Sequence, residues 1–242
     1  MGDFEILAAK PIPAINAPDD WKKIPIKECR EPLIALSTLK DTRILVEPQY
    51  FRKGIPGAIE EVYARERVVQ KLVFAASQLP TGYHLLVWDA WRPLSVQQAL
   101  FDGYCQVLRE QFPTFSEEEV RLQAGTYVSI PSNHILRPSP HYTGGAVDLT
   151  LADAHGRPFP MGTEFDAFTS SSYTRSLEEL IEKGEHLNEE QQMALSNRRV
   201  LYHTMIASGF TNYCEEWWHC DRGNQFWAVV SSNTALYGGI HP

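Results

Sequence analysis

Two separated stretches of the chain carry the residue types of a metal site. Residues 139–148 read Ser-Pro-His-Tyr-Thr-Gly-Gly-Ala-Val-Asp, and residues 216–219 read Glu-Trp-Trp-His. His141, Asp148 and His219 offer two imidazoles and one carboxylate, and catalytic zinc takes three such ligands and leaves a fourth position open. Glu216 stands just before the last ligand, where its carboxylate is free to act on a water molecule. The pattern predicts one Zn²⁺ per chain, although the same ligands also suit other divalent ions.

Two further motifs stand in a fixed order around the first stretch. Residues 89–93 read Asp-Ala-Trp-Arg-Pro, and residues 160–166 read Pro-Met-Gly-Thr-Glu-Phe-Asp. With these four motifs, the chain resembles the zinc D-Ala-D-Ala peptidases, and within them the D-alanyl-D-alanine dipeptidases of the vancomycin-resistance type, which are related to zinc D,D-carboxypeptidases. Each motif is short, and it is their order that makes the signal specific.

The resemblance implies an activity and a set of roles. The substrate would be a small D,D-dipeptide, D-Ala-D-Ala, hydrolysed to free D-alanine with Glu216 as the base. Arg92 would stabilise the oxyanion, held in place by Asp89, and Asp166 would bind the free ammonium group. Ser139 would bond the substrate or a ligand. The residue pattern alone favours a surface position for Arg92, paired with Asp89, and it leaves a helix cap or loop acid as the alternative for Asp166.

Other functions compete with this interpretation. A zinc D,D-carboxypeptidase or endopeptidase acting on peptidoglycan stem peptides would use the same metal. A non-catalytic, zinc-stabilised binding module would keep the ligands, but it would not need a base such as Glu216 or a cation such as Arg92. Cys214 and Cys220 flank His219 and offer a thiolate site instead, without the close Cys-x-x-Cys spacing typical of one.

Composition narrows the class of protein. A chain of 242 residues that is 43% hydrophobic can bury one substantial core, or two small ones, without disulfides, and one domain is the simpler interpretation. The net charge of −8 argues against nucleic-acid or anionic-membrane partners, which require surplus Lys and Arg. The cysteines are too few and too scattered for a disulfide framework; they are Cys29, Cys105, Cys214 and Cys220. The oligomeric state stays open.

The N-terminal residues indicate where in the cell the protein is expected. Asp3 and Glu5 precede a very short apolar run, the wrong order for a secretory signal. No apolar run approaches the roughly 20 residues that a membrane-spanning helix needs. We therefore expect a cytoplasmic protein, or a periplasmic one if a signal peptide has been removed.

The fold that must position these residues is predicted to be α+β. We expect residues 1–30 to form an extended N-terminal arm, because four prolines deny it a regular helix, and residues 31–242 to form a single zinc peptidase domain. Its core would be a central, mainly antiparallel sheet that carries the zinc site and is flanked by helices. The four prolines are Pro11, Pro13, Pro18 and Pro25.

Apolar spacing places the individual elements. It predicts helices over residues 56–77, from about 95 to 107, 117–124, 174–184 and 188–209, and strands over 83–88, 146–151, 210–219 and 225–230. Asp148 falls inside a strand, where an uncompensated carboxylate is costly and a metal ion would justify it. Strand alternation would put Glu216 and His219 on opposite faces, so a bulge or a helical turn must intervene between them.

Overall fold

The core of the protein is a five-stranded sheet. The computed structural model describes residues 3–17, 19–40 and 43–242, with Asp3, Thr126 and Tyr127 described by their backbone alone. In spatial order the strands are β2 (Ile44–Val46), β4 (His84–Asp89), β5 (Ala146–Ala152), β7 (His219–Asp221) and β6 (Thr211–Asn212). The first pair is parallel and the other three are antiparallel. This confirms the predicted α+β class and the mainly antiparallel central sheet.

Helices lie around the central sheet. A small second sheet pairs β1 (Leu33–Ala35) with β3 (Tyr63–Arg65). The helices are α1 (Asp3–Ala9), α2 (Gln49–Arg52), α3 (Glu66–Gln78), α4 (Leu94–Gln111), α5 (Glu117–Tyr127), α6 (Ser176–Glu182), α7 (Glu189–Ala207) and α8 (Gln225–Ser231). Helices α3 and α7 pack against each other and against the sheet.

Local signals explain most of these elements. Strands β4 and β5 are apolar runs whose residues are almost all buried, as expected for strands covered on both faces. Ser116 begins α5 with a reciprocal capping box to Glu119, and Asn188 begins α7 in the same way with Gln191. Such caps satisfy backbone N–H groups that the first helical turn leaves free.

Three predicted elements differ in the structure. The helix predicted over 56–77 begins at Glu66, because the residues before it pair as β3 with β1. The strand predicted over 210–219 is broken by a turn after β6. The strand predicted over 225–230 is wrong. That segment is α8, whose first turn is capped by the Asn224 side chain accepting from the Trp227 N–H.

The N-terminal arm lies against the body of the protein, but its first part is not extended. Helix α1 precedes the first proline, so the prolines do not prevent it. Beyond α1, the Ile12 N–H donates to Glu178 at 2.8 Å, and His203 Nε2 lies 3.0 Å from the Lys10 carbonyl oxygen. The boundary at residue 30 stays a prediction; Met1, Gly2 and Pro18 of the predicted arm lie outside the described residues.

Candidate active site and metal centre

The three predicted ligands come together through the register of the central sheet. His141 begins a 3₁₀ turn just before β5, Asp148 lies within β5, and His219 begins β7. Asp148 and His219 are direct partners across the β5–β7 pair. Gly144 ends the turn with φ of 71°, in the left-handed region that suits glycine, and a β-carbon there would lie 2.5 Å from Leu33. The turn thereby brings His141 back over the start of β5.

The outer nitrogen of each histidine is occupied by a protein acceptor. His141 Nδ1 lies 2.8 Å from the Ala90 carbonyl oxygen, and His219 Nε2 lies 3.0 Å from Asp221 Oδ2. These partners assign the ring protons to the outer nitrogens, so the inner nitrogens carry lone pairs. The inner pair, His141 Nε2 and His219 Nδ1, are 3.2 Å apart. Asp148 oxygens lie 3.4 Å from the first and 3.1 Å from the second.

This arrangement fits a bound cation. Three buried acceptor groups face one another within 4.8 Å, and each repels the others unless a positive charge lies between them. Two imidazoles and one carboxylate are a ligand set that catalytic zinc uses. Burial raises the pKa of Asp148, but the positive charge and hydrogen bonds that His141 and His219 supply when protonated outweigh this effect and hold the pKa well below the ordinary value of a carboxyl. Asp148 is therefore an anion at any ordinary pH.

Arg92 lies beside this cluster, just after β4. A register shift between Val87 and Asp89 places Asp89 opposite Asp148 on the neighbouring strand. From there Asp89 accepts from Arg92 Nε at 2.8 Å, while Arg92 Nη2 donates to Asp148 at 3.0 Å. Gln97 accepts from Nη1 at 2.8 Å. Arg92 is paired with Asp89 but is only 8% exposed, so the surface interpretation is wrong.

A tyrosine links Arg92 to Asp166. The Tyr50 hydroxyl lies 3.2 Å from Arg92 Nη2 and 3.2 Å from Asp166 Oδ1, so it can accept from the first and donate to the second. Asp166 has φ of 62°, a strained backbone that its surroundings must hold. Burial, and then the charge of Asp148, raise the pKa of Asp166 to about 6. Lys53 Nζ lies 3.7 Å away on the outer side.

Glu216 reaches the cluster through a turn of helical type. The Glu216 N–H donates to the Tyr213 carbonyl oxygen at 3.2 Å, and the His219 N–H donates to the Glu216 carbonyl oxygen at 3.3 Å. This turn interrupts the strand alternation and brings Glu216 Oε2 to 3.7 Å from His219 Nδ1. Burial, followed by the charges of Asp148 and Asp166, raises the pKa of Glu216 to about 8.

The remaining candidates from the sequence are Ser139 and the cysteines. Ser139 is buried in the cavity wall, where its Oγ accepts from the Ser132 N–H at 3.1 Å. The cysteines are free thiols, and the ligand cluster found among the described residues includes none of them. Cys220 follows His219 directly on β7, so its side chain points to the opposite face of the sheet.

Comparison with known proteins identifies the family. The model of peptidase family M15, described as D-Ala-D-Ala dipeptidase, matches residues 58–235. The chain belongs to this family. A D-alanyl-D-alanine dipeptidase of Synechocystis sp. is 30% identical over 216 residues, 85% of this chain and 87% of that protein. One of Enterococcus faecium is 30% identical over 160 residues, 64% of this chain and 68% of that protein.

Two solved structures show a more distant likeness. The vancomycin-resistance D,D-pentapeptidase VanY in complex with Zn(II) is 15% identical, with a TM-score of 0.42 over 73% of this chain and 83% of that one. The LD-carboxypeptidase LdcB is 16% identical, with a TM-score of 0.42 over 93% and 90%. Membership of the M15 family makes the chain a zinc metallopeptidase, and the histidine–aspartate cluster is compatible with one such ion.

Three side chains that contact this cluster of residues were not predicted from the sequence. Asp221 holds His219, and its signal was available, because residues two apart on a strand share a face. Gln97 receives Arg92 from within α4, and Tyr50 bridges to Asp166 from α2. No local pattern marks either of these two, since each reaches the site only through the folding of distant segments.

The cluster lies in a cavity of about 580 Å³. Arg92, Asp166, Glu216 and Ser139 all line this cavity together with the three ligands. The three ligands and Arg92 are buried in its wall, so their charges are poorly screened by water, and electrostatic interactions are stronger there than at the surface.

Proposed function

We propose that this chain hydrolyses the dipeptide D-Ala-D-Ala to two molecules of D-alanine. One observation carries the proposal. His141, Asp148 and His219 converge on one point, and the same cluster is contacted by Glu216 at His219 and by Arg92 at Asp148. A purely structural metal site has no use for a base or for an extra buried cation.

The mechanism assigns His141, Asp148 and His219 as the residues that hold the zinc ion. Zinc bound there supplies Lewis-acid polarisation of a carbonyl and lowers the pKa of a water molecule. Glu216 takes a proton from the attacking water and later delivers it to the leaving amine. Its pKa of about 8 reflects burial next to other carboxylates, and a divalent cation nearby would lower that value towards the range of a base.

Arg92 stabilises the negative charge that develops on the carbonyl oxygen. A guanidinium group has five N–H donors. Four of these are directed at Asp89, Gln97, Tyr50 and Asp148, which leaves one on Nη1 for the reaction. The four contacts hold the group rigidly, so it is oriented before the charge forms, as electrostatic catalysis requires.

Asp166 receives the free ammonium group of the substrate. Its half-buried carboxylate lines the cavity and accepts from the Tyr50 hydroxyl. A charged pair at this position marks where the substrate begins, which favours a dipeptide over a longer peptide. Ser139, in the same wall, is available to hydrogen-bond the substrate, and Asp89 positions Arg92 and lies 3.2 Å from His141 Nδ1.

The cellular location of the enzyme and its partners are also proposed. We infer that it acts in the cytoplasm on the free dipeptide, without nucleic-acid or membrane partners. The net charge of −8 supports the absence of nucleic-acid and anionic-membrane partners. Among the described residues, no helix has the length and apolar character to cross a membrane.

The test measures D-alanine release with purified, zinc-loaded protein and with the same protein after chelation. D-Ala-D-Ala and a stem pentapeptide ending in D-Ala-D-Ala are supplied separately. We expect zinc-dependent release from the dipeptide alone. Release from the pentapeptide would identify a D,D-carboxypeptidase instead, and zinc binding without release from either peptide would leave only a binding module.

A further inference from the structure

The cavity is larger than its proposed substrate requires. D-Ala-D-Ala has about eleven non-hydrogen atoms, whereas 580 Å³ holds roughly twenty water-sized groups at about 30 Å³ each. Cavities of this size bind drug-sized ligands in other proteins. A substrate whose ammonium group is held at Asp166 would therefore leave the far part of the cavity unfilled.

An aromatic wall leads from the metal centre into that far part. The Tyr213 ring lies 6.1 Å from the ring of the ligand His219, the Phe226 ring 5.6 Å from Tyr213, and the Trp21 ring 4.4 Å from Phe226. All of these side chains line the cavity. Trp21 belongs to the N-terminal arm, before the residues that match the M15 family, so the arm contributes to the cavity wall.

Helices α4 and α5 supply further cavity-lining groups. Leu100 and Val107 on α4, and Val128 just after α5, contribute apolar side chains. Gly103 lies on the same side of α4, and a β-carbon placed there would have no heavy atom within 4 Å. Aromatic and aliphatic lining residues together suit an apolar side chain of the substrate, because removing its apolar surface from water is favourable.

The polar groups indicate which residue of the substrate occupies this region. Asp166 and the metal ligands fix the ammonium group and the cleaved bond, so the next residue in the peptide extends beyond them. Lys22 and Arg137 line the cavity as well. Among the described residues, neither forms an ion pair, and both are exposed. Lys22 Nζ lies 5.1 Å from the centre of the Trp21 ring, so a cation stands beside the aromatic wall. Lys22 and Arg137 suit the free carboxylate with which a dipeptide ends.

We propose that the far part of the cavity is a subsite for a bulky apolar side chain on the second residue, with Trp21 as its specificity-determining residue. The preferred substrates are dipeptides of D-alanine followed by an aromatic or branched apolar D-residue, with D-Ala-D-Phe as the representative. The inference rests on the proposed hydrolysis. Water adds across the amide bond, giving the carboxylate of D-alanine and the free amine of D-phenylalanine.

The experiment compares kcat/KM for D-Ala-D-Phe and D-Ala-D-Ala in zinc-loaded protein. We expect a ratio of about ten or more in favour of D-Ala-D-Phe, the scale of discrimination that apolar pockets achieve. Trp21→Ala should lower kcat/KM for D-Ala-D-Phe about tenfold. The kcat/KM for D-Ala-D-Ala should stay within about twofold of the wild-type value. The matched control is Phe74→Ala, since Phe74 is an exposed aromatic residue on α3 outside the cavity.

A second variant tests the inference independently, in case Trp21→Ala disturbs the packing of the N-terminal arm. Gly103→Leu fills the cavity from α4, a helix in which leucine is favourable, and should reduce cleavage of D-Ala-D-Phe while sparing D-Ala-D-Ala. A wild-type enzyme that cleaves D-Ala-D-Ala at least as well as D-Ala-D-Phe overturns the inference but not the proposed function. So does a ratio that neither variant changes. Cleavage of neither dipeptide overturns the proposed function and the inference with it.

Discussion

Two buried polar clusters of this protein are built in opposite ways. Arg65, which is 1% exposed, lies where the arm, the loop carrying His141 and the C-terminal tail meet. Its five N–H donors reach the carbonyl oxygens of Thr143, Glu31 and Gly238 and both oxygens of Glu28. In the metal cluster, three ligand groups face one another within 4.8 Å, and Arg92 donates to the carboxylate of Asp148.

The difference separates a structural role from a chemical one. A buried charge whose hydrogen bonds are all satisfied by the protein stabilises one arrangement of the chain. Buried acceptors that converge on one another are costly in themselves, and they persist where a ligand satisfies them. The Arg65 cluster should therefore affect unfolding, and the metal cluster should affect zinc binding and turnover.

The largest effect is expected at Glu216. Glu216→Gln removes the proposed base while keeping the size of the side chain, so kcat for D-Ala-D-Ala should fall by about 10²- to 10⁴-fold. Zinc content, measured on the same samples, should not change. The matched control is Glu215→Gln, whose rate should stay near the wild-type value. Loss of zinc together with activity would make Glu216 a metal ligand and contradict the assigned role.

The next effect concerns Arg65. Arg65→Met should lower the free energy of unfolding by about 3–5 kcal/mol, because it removes a buried cation and leaves several carbonyl oxygens without donors. Urea denaturation followed by tryptophan fluorescence measures this change. Arg67→Met is the control, since Arg67 pairs with Glu31 at 3.2 Å but is exposed, and such pairs contribute about 0–1 kcal/mol.

Zinc stoichiometry of the folded fraction completes the Arg65 test. The folded Arg65→Met protein should still bind one zinc ion. Equal losses of stability for the Arg65 and Arg67 variants would show that the buried cluster has no special structural role.

A smaller effect is expected at Asp221, which accepts from His219. Asp221→Asn keeps the shape but loses the charge that supports the imidazole ligand. Zinc affinity should weaken about 10- to 100-fold, as it does when such outer partners of metal ligands are removed. Competition with a chromogenic chelator measures the dissociation constant. Asp153→Asn, in the exposed turn after β5, is the control, and equal affinities for the two variants would count against the role of Asp221.

The smallest effect concerns the docking of the N-terminal arm. Burial raises the pKa of Glu178, but hydrogen bonds from Arg199 and the Ile12 amide outweigh it, so the net pKa lies below the usual value. A carboxyl with a lowered pKa stabilises the folded state above its unfolded pKa, and this contribution disappears as the pH falls through the folded pKa. Glu178→Gln should therefore cost about 1–3 kcal/mol at pH 7 and progressively less below about pH 4.

Thermal unfolding from pH 7 to pH 3 measures this dependence. The control is Glu182→Gln, on the same helix but paired with Arg175 at the surface. A difference between wild type and Glu178→Gln that is constant over the whole range would rule out the charge of Glu178 as its origin.

The sequence by itself determined the elements that local patterns specify. The buried strands β4 and β5 follow from short apolar runs, α4 and α7 from helical spacing, and α5 from its Ser116 cap. The ligand set His141, Asp148 and His219 was also available from the motifs, because residue type and order are properties of the chain. Their roles stay proposals until the variants are tested.

Tertiary structure alone decided how these residues are used. The register shift near Asp89 places it opposite Asp148, and Tyr50 arrives from a segment without a motif. Segment 225–231 is helical because Asn224 caps it, although its apolar run also suits a strand. Trp21 reaches the cavity because the arm packs against α8. Each outcome depends on contacts between residues far apart in the sequence, and their energies exceed the weak preferences of a local pattern.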